Sequence, residues 1–210
     1  MMPVRPSFCR NLSLVLLLAG APAGLGALQP AFAQASDPAV TQVQGFYDTL
    51  VAAMKMGGTP KARYDKLKPA VEKAFDLKAM TAMAVGPSFA SMSDADKQAL
   101  VDAFTRMTVA NYAKNFDSYG GEKFPVEPQS IARGNDHFVK SKLVPASGEA
   151  IAFNYRMHQV DGTWKITDVY LAGNISQMAQ KRSDFAGTLK SGGPQGLAKQ
   201  INALADRELN

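Results

Sequence analysis

The hydrophobic period of this chain changes twice along its length, and those changes decide the fold class. From residue 37 to about 116 apolar side chains return at helical spacing; from 151 to 171 they alternate; past 174 helical spacing resumes. A segment patterned for one period cannot bury its apolar side chains in the other conformation. The order is therefore helices, antiparallel strands, helices. That order predicts an α+β domain with helices packed on one face of a curved antiparallel sheet.

The boundaries follow from caps and breakers. Asp37 as N-cap, Pro38 at the first helical position and Gly57 past the end bracket a helix. Val40, Val43, Phe46, Tyr47, Leu50, Val51 and Met54 form its apolar face. Thr59-Pro60 opens a second helix, and Pro69 inside its pattern predicts a break or kink. A third runs from about Leu77 to Gly86-Pro87, where glycine permits the cap and proline stops the helix. Ser93 with Asp96 approximates a capping box for a fourth, in which Leu100, Ala103, Phe104, Met107 and Asn111 share a face. "AIAFNYRMH" and "TWKITDVYL", joined at Asp161-Gly162, read as a hairpin. Residues 126–132 and 137–144 are weaker strand candidates. In the closing helical part Ile175, Met178, Phe185 and Leu189 lie on one side, and "SGGP" ends one helix and starts another.

The N-terminus carries Arg5 and Arg10, a short apolar run over 12–21 and "AFA" at 31–33. That is the anatomy of a secretory signal peptide, with an apolar run too short to span a bilayer. Cleavage is expected after Ala33, with Ala35 as the alternative and retention as an N-terminal anchor the other outcome. The division is then a signal peptide over 1–33 and a single domain over 34–210. Cys9, the one cysteine, leaves with the leader, so the remainder stands on its core without disulfides. The leader holds two of the 23 basic residues and none of the 18 acidic ones, which leaves 21 against 18, a net charge of +3. Scattered charge of that size does not point to nucleic acid. It is compatible with transient contact at an anionic membrane surface.

No constellation in the chain carries recognisable chemistry. His137 and His158 lack the carboxylate spacing of a metal site. "GPSFA" around Ser88 lacks the second glycine and the strand of a nucleophile elbow. No strand feeds "KSGGPQG", as a phosphate loop requires. Asp168 alternates with Trp164, Ile166 and Tyr170, an apolar set, which marks it as a carboxylate tied down by hydrogen bonds or an arginine. No catalytic residue, metal or cofactor is implied. Met54, Met80, Met83, Met92, Met107 and Met178 fall on helical faces. The pattern fits two readings, an ordinary core or a cavity for a flexible apolar ligand.

Two stretches carry a resemblance: "FDLKAMTAMAVGPSFASMSDADKQALVDAFTRMTVANYAKNF" and "YRMHQVDGTWKITDVYLAGNISQMAQKRSDFAGTLKSGGPQGLAKQI". The marks are Phe75-Asp76-Leu77, Gly86, Tyr112, Tyr155-Arg156, Trp164-Lys165-Ile166, Asp168-Val169, Ser183 to Phe185 and Gly192-Gly193. In this order and spacing they resemble the toluene-tolerance, or MlaC-like, family of periplasmic phospholipid-binding proteins, over residues 37–205. Phe89, where that family often has Trp, and "AGNISQM" depart from its pattern. "SYGGEKFPV" is closer to the family's hopanoid-associated branch.

The resemblance implies an NTF2-like fold around a deep apolar pocket. It implies a periplasmic shuttle for phospholipid, or hopanoid, between an inner-membrane transporter complex and an outer-membrane lipoprotein/porin complex. On that fold the expected tail contacts are Phe46, Leu50, Met83, Phe104, Met107, Phe153, Tyr155 and Trp164. Arg156 and Lys165 are the expected head-group contacts. The alternative is a non-catalytic adaptor with a filled core that binds a membrane protein partner and carries no lipid.

Overall fold

The computed structural model describes residues 36–210. The expected signal peptide and its cleavage point lie outside the described residues. Four helices come first: α1 (Pro38–Met56), α2 (Pro60–Ala74), α3 (Leu77–Val85) and, past a 3-10 turn at Pro87–Ser91, α4 (Asp94–Asn115). The strands follow as β1 (Ile131–Arg133), β2 (Asp136–Val139), β3 (Lys142–Leu143), β4 (Ile151–Val160), β5 (Thr163–Leu171) and β6 (Ile175–Ser176). Helix α5 (Gln177–Leu209) closes the chain, and the α+β class stands. Among the described residues no helix is long and apolar enough to cross a membrane.

The caps form as their residue types demand. Asp37 Oδ1 accepts the N–H of Ala39 at 2.9 Å, and Asp76 Oδ1 accepts that of Ala79 at 2.9 Å. The capping box at α4 is only half made. Ser93 Oγ accepts the Asp96 N–H at 3.1 Å, but the Asp96 carboxylate takes the Ser93 hydroxyl and the Gln195 amide, at 2.7 and 2.6 Å. Aspartate is one methylene short of the reach of glutamate. Of the break or kink expected at Pro69, the break does not occur, and α2 continues to Ala74. Pro69 and Asp65 are exposed, so the carbonyl deprived of its donor faces water.

The sheet is antiparallel, in the order β1-β2-β4-β5-β6, with β3 also on β4. Strands β2 and β3 share one edge of β4, pairing near Tyr155 and Ala152 respectively. Between them Ser141 bonds its hydroxyl to the Phe153 carbonyl and to Tyr47 Oη of α1, the latter at 2.7 Å. The strand expected over 137–144 is therefore two strands. Of 126–132 only the end pairs as a strand, while Val126 makes a single bridge to Ser141.

A bulge corrects the alternation expected along β5. Arg156 pairs with Asp168 but Met157 pairs with Ile166, so Thr167 is the extra residue. Ile166 shares the helix-covered face with Met157, and Val169 shares it with Tyr155. Asp168 and Tyr170 move to the opposite face, beside Arg156.

The helices cover the face of Tyr155, Met157 and Ile166, and Leu50, Leu67, Leu100, Phe104, Leu197 and Ile201 complete the buried core beneath them. Arg63 is buried at 3% exposure because it caps α4. Its Nε donates to the Ala113 carbonyl at 2.8 Å and its NH1 to Gly58 O at 2.6 Å. Helix α5 is broken at Gly193, where φ is 64°. Its second half is fastened to α4 by Arg106, which reaches Asn202 O at 3.2 Å and Asp206 Oδ1 at 2.5 Å.

Candidate functional site

An apolar cavity of about 370 Å³ lies between the helices and the sheet. Phe75, Met80, Phe104 and Met107 line it where the chain is buried. The sheet contributes Leu143, Phe153, Val169 and Leu171. The ladder explains the last three: Phe153 is opposite Leu171 and Tyr155 opposite Val169, so all turn to the helix side. Helix α4 adds Thr108, Asn111, Tyr112 and Asn115, followed by Phe116, and α5 adds Gln177, Met178 and Lys181.

Asp168 fixes the start of α5 against this opening. Its Oδ1 accepts the N–H groups of Val169 and Met178, at 2.8 and 3.2 Å, and its Oδ2 accepts the Ser176 hydroxyl at 2.5 Å. The carboxylate is a structural anchor, as expected, and it sets where Met178 and Lys181 stand.

Polarity rises towards solvent. Thr108 spends its hydroxyl on the Phe104 carbonyl at 2.8 Å, leaving the interior chemically apolar. Asn115 is exposed, and Asn111, Gln177 and Lys181 are half-buried. Among the described residues lining the cavity Lys181 alone is charged. Its acidic neighbour Asp184 is 3.7 Å away and more exposed.

Behind Tyr112 the phenols of Tyr47, Tyr112 and Tyr155 gather. Burial pushes all three up; the Tyr47 phenol pushes Tyr112 further, and the phenols of Tyr112 and Tyr47 push Tyr155 further. Among the described residues the buried Tyr155 hydroxyl has no hydrogen-bond partner.

Three of the residues expected at the tails line this cavity: Phe104, Met107 and Phe153. Phe46 stands one layer back, edge-on to Phe75 and Tyr112 with ring centroids 5.1 and 5.0 Å away. Leu50 and Tyr155 are fully buried in the core, and Met83 is half-buried; none of them is in the lining. Trp164 packs on His137 at 4.2 Å.

The two expected head-group contacts are engaged elsewhere. Arg156 holds Asp136 Oδ2 through Nε and NH2, at 2.9 and 2.6 Å, because strand alternation turns it away from Tyr155. Lys165 Nζ donates to the Glu72 and Lys73 carbonyls at the end of α2. Lys181, the cation that does line the cavity, is not among the residues expected from the sequence. Its signal was there: it follows Met178 by three positions and precedes Phe185 by four, a cation on an apolar helical face.

The histidines serve as clamps. His158 Nε2 meets Asp76 Oδ2 at 2.8 Å. His137 Nδ1 lies 2.6 Å from Ser130 Oγ, which also bonds Asp37 Oδ2 at 2.6 Å. Serine, histidine and aspartate meet here, but the carboxylate holds the serine instead of orienting the imidazole, which is not triad geometry. Among the described residues no group of three acids or histidines is placed to hold a metal ion.

A helix-covered antiparallel sheet around a cavity with an apolar interior and a polar rim defines an α+β domain built to enclose a ligand. The model of the MlaC protein family matches residues 43–203, and the chain belongs to that family. Among solved structures it is similar to the phospholipid-binding protein from Ralstonia solanacearum in complex with a phospholipid, with a TM-score of 0.71. The two share 20% identity over 83% of this chain and 100% of that one, a likeness of fold. No curated protein matches the chain.

Proposed function

We propose that the protein is a periplasmic carrier that takes a phospholipid from one membrane's transport complex and delivers it to the other's. The observation that carries this reading is the cavity, apolar within and polar at its rim, which matches the division of a lipid into tails and head. Membership of the MlaC family supports it, as does the fold shared with a phospholipid-binding protein. Two acyl tails hold about 30 methylenes, each costing ~0.8 kcal/mol in water, so a free lipid does not cross an aqueous gap at a useful rate. Hiding the tails removes most of that barrier without altering a covalent bond.

The cavity volume of about 370 Å³ is at the small end of ligand pockets, which run from roughly 300 to 1,000 Å³. Met80, Met107 and Met178 give it walls that repack, since an unbranched thioether chain changes rotamer cheaply. A carrier must also release its load, so a tight preformed slot would work against delivery.

Native mass spectrometry of the mature protein, followed by solvent extraction and lipid identification, tests the reading. A one-to-one phospholipid adduct supports it, and a hopanoid adduct keeps the carrier but changes the cargo. No adduct, together with no uptake from labelled vesicles, overturns it in favour of an adaptor that binds a membrane protein partner.

A further inference from the structure

Lys181 stands at the rim of the cavity on an otherwise apolar face of α5. Lysine is seldom placed on an apolar wall without a partner, because water withdrawn from the ammonium must be replaced by an anion. Lys181 is 28% exposed at its side chain, between Met178 and Phe185 on the inner face of α5. Asp184 is a weak substitute at 3.7 Å and 54% exposure. The neighbouring Arg182 is directed elsewhere: a Cβ built on Gly86 would stand 3.1 Å from its Nε. Around Lys181 the rim offers the side-chain amides of Asn111, Asn115 and Gln177, which donate hydrogen bonds to oxygen acceptors.

We infer that Lys181 binds the phosphate of the carried lipid and makes the carrier selective for phosphate-bearing lipids over neutral ones. The inference rests on the proposed carrier function. Its physical basis is a coupling between tails and charge. When tails fill the cavity they exclude water from the flank of Lys181, and the ammonium then needs a negative oxygen beside it. A phosphodiester supplies that oxygen at the junction of tail and head, where Lys181 stands. Diacylglycerol, or a neutral polycyclic lipid, fills the same space and leaves the ammonium with only the exposed Asp184 carboxylate. The amides recognise the ester and phosphate oxygens without adding charge, so discrimination falls chiefly on one residue.

The test compares two fluorescent probes with identical tails, phosphatidylglycerol and diacylglycerol, on the mature protein and its K181M and K181R variants. Lys181 is partly exposed, and unchanged melting temperatures establish that the variants are folded. The wild type is expected to bind phosphatidylglycerol about tenfold tighter or more, the scale of one charge-assisted hydrogen bond. K181M is expected to bring the two affinities together, and K181R to keep them apart. Equal affinity of the wild type for both probes, or an unchanged ratio in K181M, overturns the assignment while leaving the carrier intact. Failure to take up either probe overturns the carrier reading and the assignment with it. Inorganic phosphate is the control for a free-anion site. If it stabilises the lipid-free wild type thermally but not K181M, the residue reads free phosphate and the assignment to a lipid is overturned.

Discussion

Asp168 on β5 accepts the backbone N–H of Met178 on α5 at 3.2 Å, so one buried carboxylate joins the sheet wall of the cavity to its helical wall. Asp168→Asn keeps the shape but replaces one acceptor oxygen with a donor facing donors. The expected cost is about 2 kcal/mol, or a melting temperature lower by roughly 5 °C in a domain of this size. Thermal denaturation measures it. Phospholipid uptake should fall with it, since Met178 and Lys181 lose their fixed position.

Val169→Phe directs a larger apolar side chain into the cavity from a strand position. A ring that fills open volume replaces lost dispersion contacts, so the melting temperature should stay within about 3 °C of wild type. Uptake of labelled phospholipid should fall at least about tenfold, since occupied volume no longer accepts tails. Normal uptake by this variant would mean that the tails go elsewhere.

Arg63→Met removes a buried cation that satisfies two carbonyls, those of Gly58 and Ala113. Both oxygens are left without this donor, and the expected loss is about 3 kcal/mol. Urea denaturation should show a lower midpoint with an unchanged slope. Because the capped helix end carries Asn115, the rim should loosen too, seen as faster amide exchange over residues 111–116.

Tyr155 gives a pH prediction with a definite sign. Burial, then the phenols of Tyr112 and Tyr47, raise it well above its ordinary 10.0, and Tyr47 and Tyr112 are raised as well. The unfolded chain ionises near 10 while the folded chain resists. The stability that this difference represents is complete below pH 10 and is lost as pH climbs above it. Tyr155→Phe removes a hydroxyl that has no hydrogen-bond partner among the described residues, so at pH 7 the melting temperature should hold or rise. In alkaline titration its unfolding midpoint should move to higher pH.

The parts of this fold that depend on period and caps were legible in the sequence: five helix starts, the β4–β5 hairpin and the order of the layers. What escaped depends on tertiary partners. Nothing local marks Thr167 as a bulge, since the shift arises from its pairing with β4. Ser141 splits one apparent strand because Tyr47, 94 positions away, bonds its hydroxyl. At the site, Phe104, Met107 and Phe153 followed from facing a common layer. The charge of Arg156 and Lys165 is visible in the sequence, but the face that each takes is decided by strand parity and by the helix carbonyls within reach.

The break at Gly193 divides the labour of one long helix. Residues before it wall the cavity; residues after it are riveted to α4 through Arg106, with Gln195 holding Asp96 at the seam. A lineage can therefore edit the stretch from Gln177 to Ser191 and alter which passenger is accepted while the foundation stays untouched. Variation among relatives should gather on that half-turned lever, and inheritance should guard the other.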